Sequence, residues 1–97
     1  MIKAFADTGS RDIARGENSR AARRVLPVEF HERARIRLAA LDAATSLDDL
    51  AAIPGWRMEK LKGDRAGQYS LRIDRQYRIC WSWDGADADD VAIVDYH

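Results

Sequence analysis

Sulfur and imidazole are scarce in this 97-residue chain, which has one cysteine, Cys80, and two histidines, His31 and His97. A single thiol excludes an internal disulfide. Together with two imidazoles it falls short of the usual ligand set of a structural zinc site, so no metal or other cofactor is expected. Long apolar runs are also missing: nothing approaches the roughly 18 consecutive apolar residues of a membrane span. The opening MIKAFADTGS lacks the apolar core of a signal peptide, so a cytoplasmic location without membrane contact is expected. There are only two prolines, Pro27 and Pro54, the six glycines are scattered, and there is no internal repeat or low-complexity tract.

What is present describes a globular protein: 46% hydrophobic and 33% charged residues. The length suits one domain over residues 1–97 with a single modest core. Net charge is zero but unevenly spread, at +3 over residues 1–45, −2 over 46–55, +4 over 56–83 and −5 over 84–97. Such a balance allows a local basic groove for a polyanion and argues against a surface that coats DNA indiscriminately.

IKAF at 2–5 reads as a short opening strand. Residues 8–26 are poor in large apolar side chains and interrupted by Gly9 and Gly16, which predicts a short or frayed helix and a mobile loop. From Pro27 the period becomes helical, with Phe30, Ala34, Leu38 and Leu41 on one face, up to Ala44. Ser46, with Asp49 three residues on, is a variant capping box for one further turn that Pro54-Gly55 closes. Beyond Gly55 the period becomes two, in WRMEKL (56–61), QYSLRI (68–73), YRICWSW (77–83) and DVAIVDY (90–96), which predicts an antiparallel meander. Tyr77, Ile79, Trp81 and Trp83 should share one sheet face, packed on the helix. Arg78, Cys80 and Ser82 should share the other, polar face.

On such a sheet Lys62, Arg65, Arg72 and Arg78 fall close enough for cations to converge on one phosphate. Charge alone favours a solvated face that uses cations against edge-to-edge aggregation. Tyr69, Tyr77 and Trp81 alternate with these cations as RNA bases would require, although packing is the stronger reading for Trp81 and Trp83. In the terminal DYH, Asp95 and the α-carboxylate should raise the pKa of His97 and make it a better proton donor, while Tyr96 could orient a nucleotide. An incidental solvated end is the bland alternative. His31 reads as a surface residue and Cys80 as a small core residue.

LKGDRAGQYSLRI (61–73), QYRICWSW (76–83) and the terminal VDYH (94–97) resemble HigB-type toxins of the RelE/ParE superfamily. MIKAFAD and ALDAATSLDDL resemble the same group, and the likeness weakens only across residues 8–26. The resemblance implies an α+β, RelE-like fold, with an N-terminal strand and helices packed on one face of a mostly antiparallel sheet. It implies a toxin of a type II toxin–antitoxin module that enters the ribosomal A site and cuts mRNA. It also implies a HigA-type helix-turn-helix antitoxin as partner, with operator DNA bound only through the pair.

Carried over by position, the family's catalytic set falls on Lys62, Arg78, Asp95, Tyr96 and His97, while Arg65, Arg72 and Tyr69 are expected to contact RNA. Some relatives place a histidine where this chain has Glu59, whose carboxylate would also accept a proton. RNA carries its own nucleophile, the 2′-hydroxyl, so the protein needs a base, cations for the phosphate and an acid for the leaving 5′-oxygen. Two rivals are a ParE-like inhibitor of DNA gyrase, against which the terminal Asp-Tyr-His argues, and a non-catalytic RNA-binding module.

Overall fold

The computed structural model describes residues 1–96. Four helices, α1 (Thr8–Ala14), α2 (Arg20–Val25), α3 (His31–Ala43) and α4 (Leu47–Ala51), precede four strands. The strands are β1 (Glu59–Lys60), β2 (Gln68–Arg72), β3 (Tyr77–Trp83) and β4 (Ala88–Asp95). They form one antiparallel sheet in the order β1-β2-β3-β4, the meander that the period-two segments predict.

Residues 8–26 hold the short helix expected there and, beyond it, a second helix that was not. Two helices form there because each start has a side-chain cap: Asp7 accepts from the Ser10 amide (2.6 Å) and Ser19 from the Ala22 amide (3.0 Å). A Ser19 to Asp12 hydrogen bond (2.6 Å) ties α1 to the start of α2. Of the apolar residues of this stretch, Ile13, Ala22 and Leu26 are buried, and Ala14, Ala21 and Val25 are partly so. Gly9 permits the contact between the two helices, since a Cβ there would lie 2.5 Å from the Ala21 carbonyl oxygen.

The expected opening strand is also different: residues 2–5 make only two isolated parallel bridges to β4, Ile2 with Ala88 and Phe5 with Val91. WRMEKL shortens to Glu59–Lys60, because Arg57 takes a left-handed φ of 46° that breaks the extended run. That conformation costs a non-glycine residue on the order of 1 kcal/mol. In α3, Ala34, Leu38 and Leu41 are buried as its period predicts. Ser46 caps α4 by accepting from the Asp48 amide, one position earlier than the capping box expects. His31 is half-buried, its Nε2 2.8 Å from the Leu26 carbonyl oxygen, rather than a free surface residue.

Strand alternation divides the sheet. Leu71, Ile73, Ile79, Trp81, Val91 and Ile93 join the helices in one core with Ile13, Leu26, Leu38, Leu41 and Leu50. Helix α3 also grips the backbone of β2: Arg37 Nε donates to the Arg72 carbonyl (2.8 Å) and Arg33 Nη1 to the Ile73 carbonyl (3.2 Å). The Arg37 guanidinium lies 4.8 Å from the Trp56 ring centroid. No helix among the described residues is long and apolar enough to cross a membrane.

A buried serine joins α1 to β4. Ser10 is fully buried, accepts from the Ile93 amide (2.9 Å) and donates to the Asp7 carboxylate (3.1 Å). Ser10→Ala should therefore strand a buried N–H and lower the unfolding free energy by about 1–3 kcal/mol, read from urea titration. A change close to zero would show that the clip is dispensable. The Ser19 hydroxyl holds the Asp12 pKa below its ordinary 3.8, with Arg11 adding to it and burial opposing. A carboxylate depressed in the folded state stabilises above its unfolded pKa and loses that stabilisation as pH falls through the folded value. Thermal unfolding followed by circular dichroism should show the melting temperature falling below about pH 4, less steeply in Asp12→Asn.

Candidate active site

Side chains that cannot enter the apolar core collect on the sheet's other face. The strand register sets Glu59 opposite Ser70, Ser70 opposite Cys80 and Cys80 opposite Ala92, a row across all four strands. One step along β3 stands Arg78, opposite Arg72 on β2 and Val94 on β4. Arg78 is only 8% exposed, which demands partners for its charge. Its Nε donates to Ser70 Oγ (2.7 Å) and its Nη2 to the Arg57 carbonyl. The Glu59 carboxylate lies 3.9 Å from Nη2, and the guanidinium carbon lies 6.0 Å from the centroid of the Tyr96 ring.

Cys80, the next residue of β3 on the same face as Arg78, is buried. Burial pushes its thiol pKa up, and Arg65 and Arg78 both pull against that shift, so both cations lie within electrostatic reach of one sulfur. A buried thiol with a raised pKa is a poor nucleophile, which leaves Cys80 a packing role. Arg65 Nη1 donates to Gln68 Oε1 (3.2 Å) at the β1–β2 turn. Lys62 is exposed at the head of that turn, its carbonyl accepting from the Arg65 amide (3.4 Å).

Of the residues expected from the sequence, Glu59 and Tyr96 therefore come close to Arg78, while Arg65 and Lys62 stand on the β1–β2 turn. Arg72 shares the face of Arg78 and is half-buried, its Nε donating to the Asp74 carbonyl (3.2 Å). Tyr69 stands on the opposite, helix-side face, where its ring stacks on Trp81 with centroids 6.4 Å apart. It is packed against the core, away from the Arg78 group. Asp95 pairs in register with Tyr77 and its Oδ2 accepts from Gln76 Nε2 (3.1 Å). Alternation along β4 turns it away from the Arg78 face. The Tyr96 amide donates to the Gln76 carbonyl (2.6 Å) and its side chain is exposed. His97, expected to act as the acid, lies outside the described residues.

Ser70 and the Arg57 carbonyl, both bonded to Arg78, are absent from the set expected from the sequence. Ser70 had a faint signal, as a small polar residue inside the apolar run Tyr69-Ser70-Leu71. Nothing in the sequence marks Arg57 for a left-handed backbone. No group of three or more His, Cys, Asp or Glu suited to a metal ion occurs among the described residues. A cation, a carboxylate and a phenol gathered on one sheet face can bind a phosphodiester, accept a proton and cover a nucleotide.

Comparison with known proteins agrees with this architecture. The family described as RelE-like toxin of type II toxin-antitoxin system HigB matches residues 10–97. Toxin HigB-1 of Vibrio cholerae is 36% identical over 73 residues, 75% of this chain and 73% of the relative. Endoribonuclease HigB of Proteus vulgaris is 31% identical over the full length of both chains. Among solved structures, the YoeB-YefM complex from Staphylococcus aureus matches with a TM-score of 0.60 at 20% identity, covering 100% of this chain and 95% of that one. The YoeB dimer from the same organism matches with a TM-score of 0.58 at 22% identity, covering 99% and 94%. At that identity the two structures establish the shared fold alone: mixed helices on a four-stranded antiparallel sheet. With the family match running from α1 through the last strand, and a relative aligned end to end, the chain belongs to the RelE-like HigB toxins of type II toxin–antitoxin systems.

Proposed function

We propose that this chain is a metal-independent endoribonuclease that cuts mRNA during translation, in the ribosomal A site, by attack of the RNA's own 2′-hydroxyl. The observation that carries the reading is Arg78: a buried, oriented guanidinium on the sheet face opposite the helices, with Glu59 and Tyr96 beside it. The name of the Proteus vulgaris relative, an endoribonuclease, supports the same chemistry.

In this mechanism Glu59 takes the 2′-hydroxyl proton and the 2′-oxygen attacks phosphorus. The bond to the 5′-oxygen breaks, leaving a 2′,3′-cyclic phosphate. Arg78, with Lys62 and Arg65 approaching from the turn, stabilises the charge that builds on the non-bridging oxygens. His97 protonates the departing 5′-oxygen, Asp95 orients the His97 imidazole, and Tyr96 stacks on or hydrogen-bonds the nucleotide. Arg72 extends the cationic face along the RNA, whereas the packing of Tyr69 on Trp81 favours a supporting role for that ring. The partners in this reading are a HigA-type helix-turn-helix antitoxin, through which operator DNA is bound, and the translating ribosome. The protein acts in the cytoplasm as one domain spanning residues 1–97.

Primer extension on a reporter mRNA in a translation extract tests the reading. The wild-type chain should give discrete, translation-dependent cuts. Arg78→Ala should cut roughly 10²–10³-fold more slowly. Glu59→Gln should lose about 10²–10⁴-fold, and deletion of His97 should remove most cleavage while folding persists. Intact mRNA with growth arrest would overturn the nuclease and turn attention to gyrase. Ribosome binding without any cut would leave only an RNA-binding module.

A further inference from the structure

Arg78 is useful for phosphoryl chemistry only if its fork is aimed, and its aim is set by two groups outside the set that touches RNA in the proposed mechanism. Both protein hydrogen bonds fall on one edge of the guanidinium: Nε donates to Ser70 Oγ and Nη2 to the Arg57 carbonyl. No described residue accepts from Nη1. The Nη1/Nη2 end of the fork therefore remains for a bidentate phosphate, with the Glu59 carboxylate 3.9 Å from Nη2 and the Tyr96 ring 6.0 Å from the guanidinium carbon.

Neither holding group is incidental. Ser70 is fully buried in the row between Glu59 and Cys80, and a buried hydroxyl is kept where it has a partner. The Arg57 carbonyl faces Arg78 only because residue 57 adopts φ 46°, a conformation an arginine holds when its surroundings impose it. Those surroundings are visible: the Trp56 carbonyl accepts from the Arg72 amide (2.7 Å), and the Trp56 ring is covered by Arg37 of α3. Helix, strand edge and left-handed residue thus form a continuous support that ends on Nη2.

We infer that the Ser70 hydroxyl and the Arg57 backbone carbonyl form a positioning cradle that aims the Nη1/Nη2 edge of Arg78 at the scissile phosphate. This rests on the nuclease reading above. The cradle acts on the rate of the bond-breaking step rather than on ribosome association. Arg57 acts through its backbone, so its own cation is not required for it.

Single-turnover cleavage of mRNA on programmed ribosomes, at saturating toxin and well below each variant's melting temperature, tests this. Ser70→Ala should cut roughly 10- to 100-fold more slowly with ribosome affinity unchanged. In an Arg78→Lys background, which has no Nε/Nη2 edge to cradle, adding Ser70→Ala should change the rate by less than about threefold. A merely structural serine would give additive losses, or would lower stability without lowering the rate of folded protein. Arg57→Asn, which tolerates the left-handed backbone, should cut within about threefold of wild type, whereas Arg57→Val, which resists it, should match the loss of Ser70→Ala. If Ser70→Ala does not fold, the Asn and Val pair decides the question. Equal rates for Arg57→Asn and Arg57→Val, or an undiminished Ser70→Ala, would overturn the cradle while leaving the nuclease intact. A wild-type chain that cuts nothing would remove the nuclease reading and the cradle with it.

Discussion

A guanidinium cannot be taken out of water without replacing what water did for it, and that requirement at Arg78 organises the working face of this protein. An unpaired buried cation would cost several kcal/mol. Here a hydroxyl from β2, a carbonyl from the segment leading into β1, a carboxylate from β1 and an aromatic ring after β4 share the charge. Each of those groups comes from a different part of the sheet, so the register of all four strands is tied to the surroundings of one side chain. The left-handed Arg57 belongs to the same constraint, because a fully extended residue there would turn its carbonyl elsewhere.

The two faces of the sheet divide the work by polarity. The helix-side face carries Trp81, Ile79, Leu71 and Ile93 against α1, α2 and α3, and this burial supplies most of the stabilisation. Because that face is filled, polar side chains at the intervening positions of the same strands have one place to go. Helix α3 serves both sides: its apolar stripe packs on the core, and Arg33 and Arg37 hold the carbonyls at the end of β2, the strand that presents Ser70. The N-terminal helices reach the sheet through Ser10 and the Ile93 amide, close to the end of β4 from which Tyr96 projects.

The legibility of the sequence varied along the chain for identifiable reasons. The meander could be read because each strand buries one face and its period of two survives in Tyr77, Ile79 and Trp81. The helix from His31 could be read because Ala34, Leu38 and Leu41 hold a period of 3.6. Residues 8–26 show the short helix their sequence suggests, but the second helix is not legible because it rests on the Ser19 cap and on single apolar anchors, Ala22 and Leu26, rather than on a long stripe. The opening strand was overestimated because IKAF has strand composition but makes only two bridges. Among candidate site residues, Glu59, Arg78 and Tyr96 converge, whereas Tyr69 and Asp95 alternate onto the other side of their strands.

By itself the sequence determined the two periods, the turn positions and the polar face of β3, since these follow from local side-chain chemistry and its spacing, while the family is shown by similarity along the whole chain. The tertiary structure alone decided which cation is buried and what holds it. Ser70 and Arg78 are eight positions apart in sequence, and Arg57 and Arg78 are twenty-one apart. Strand pairing brings them together, and the backbone twist at Arg57 aims its carbonyl. Contacts of that range depend on register and backbone torsion, which no pattern of residue types in a single chain records.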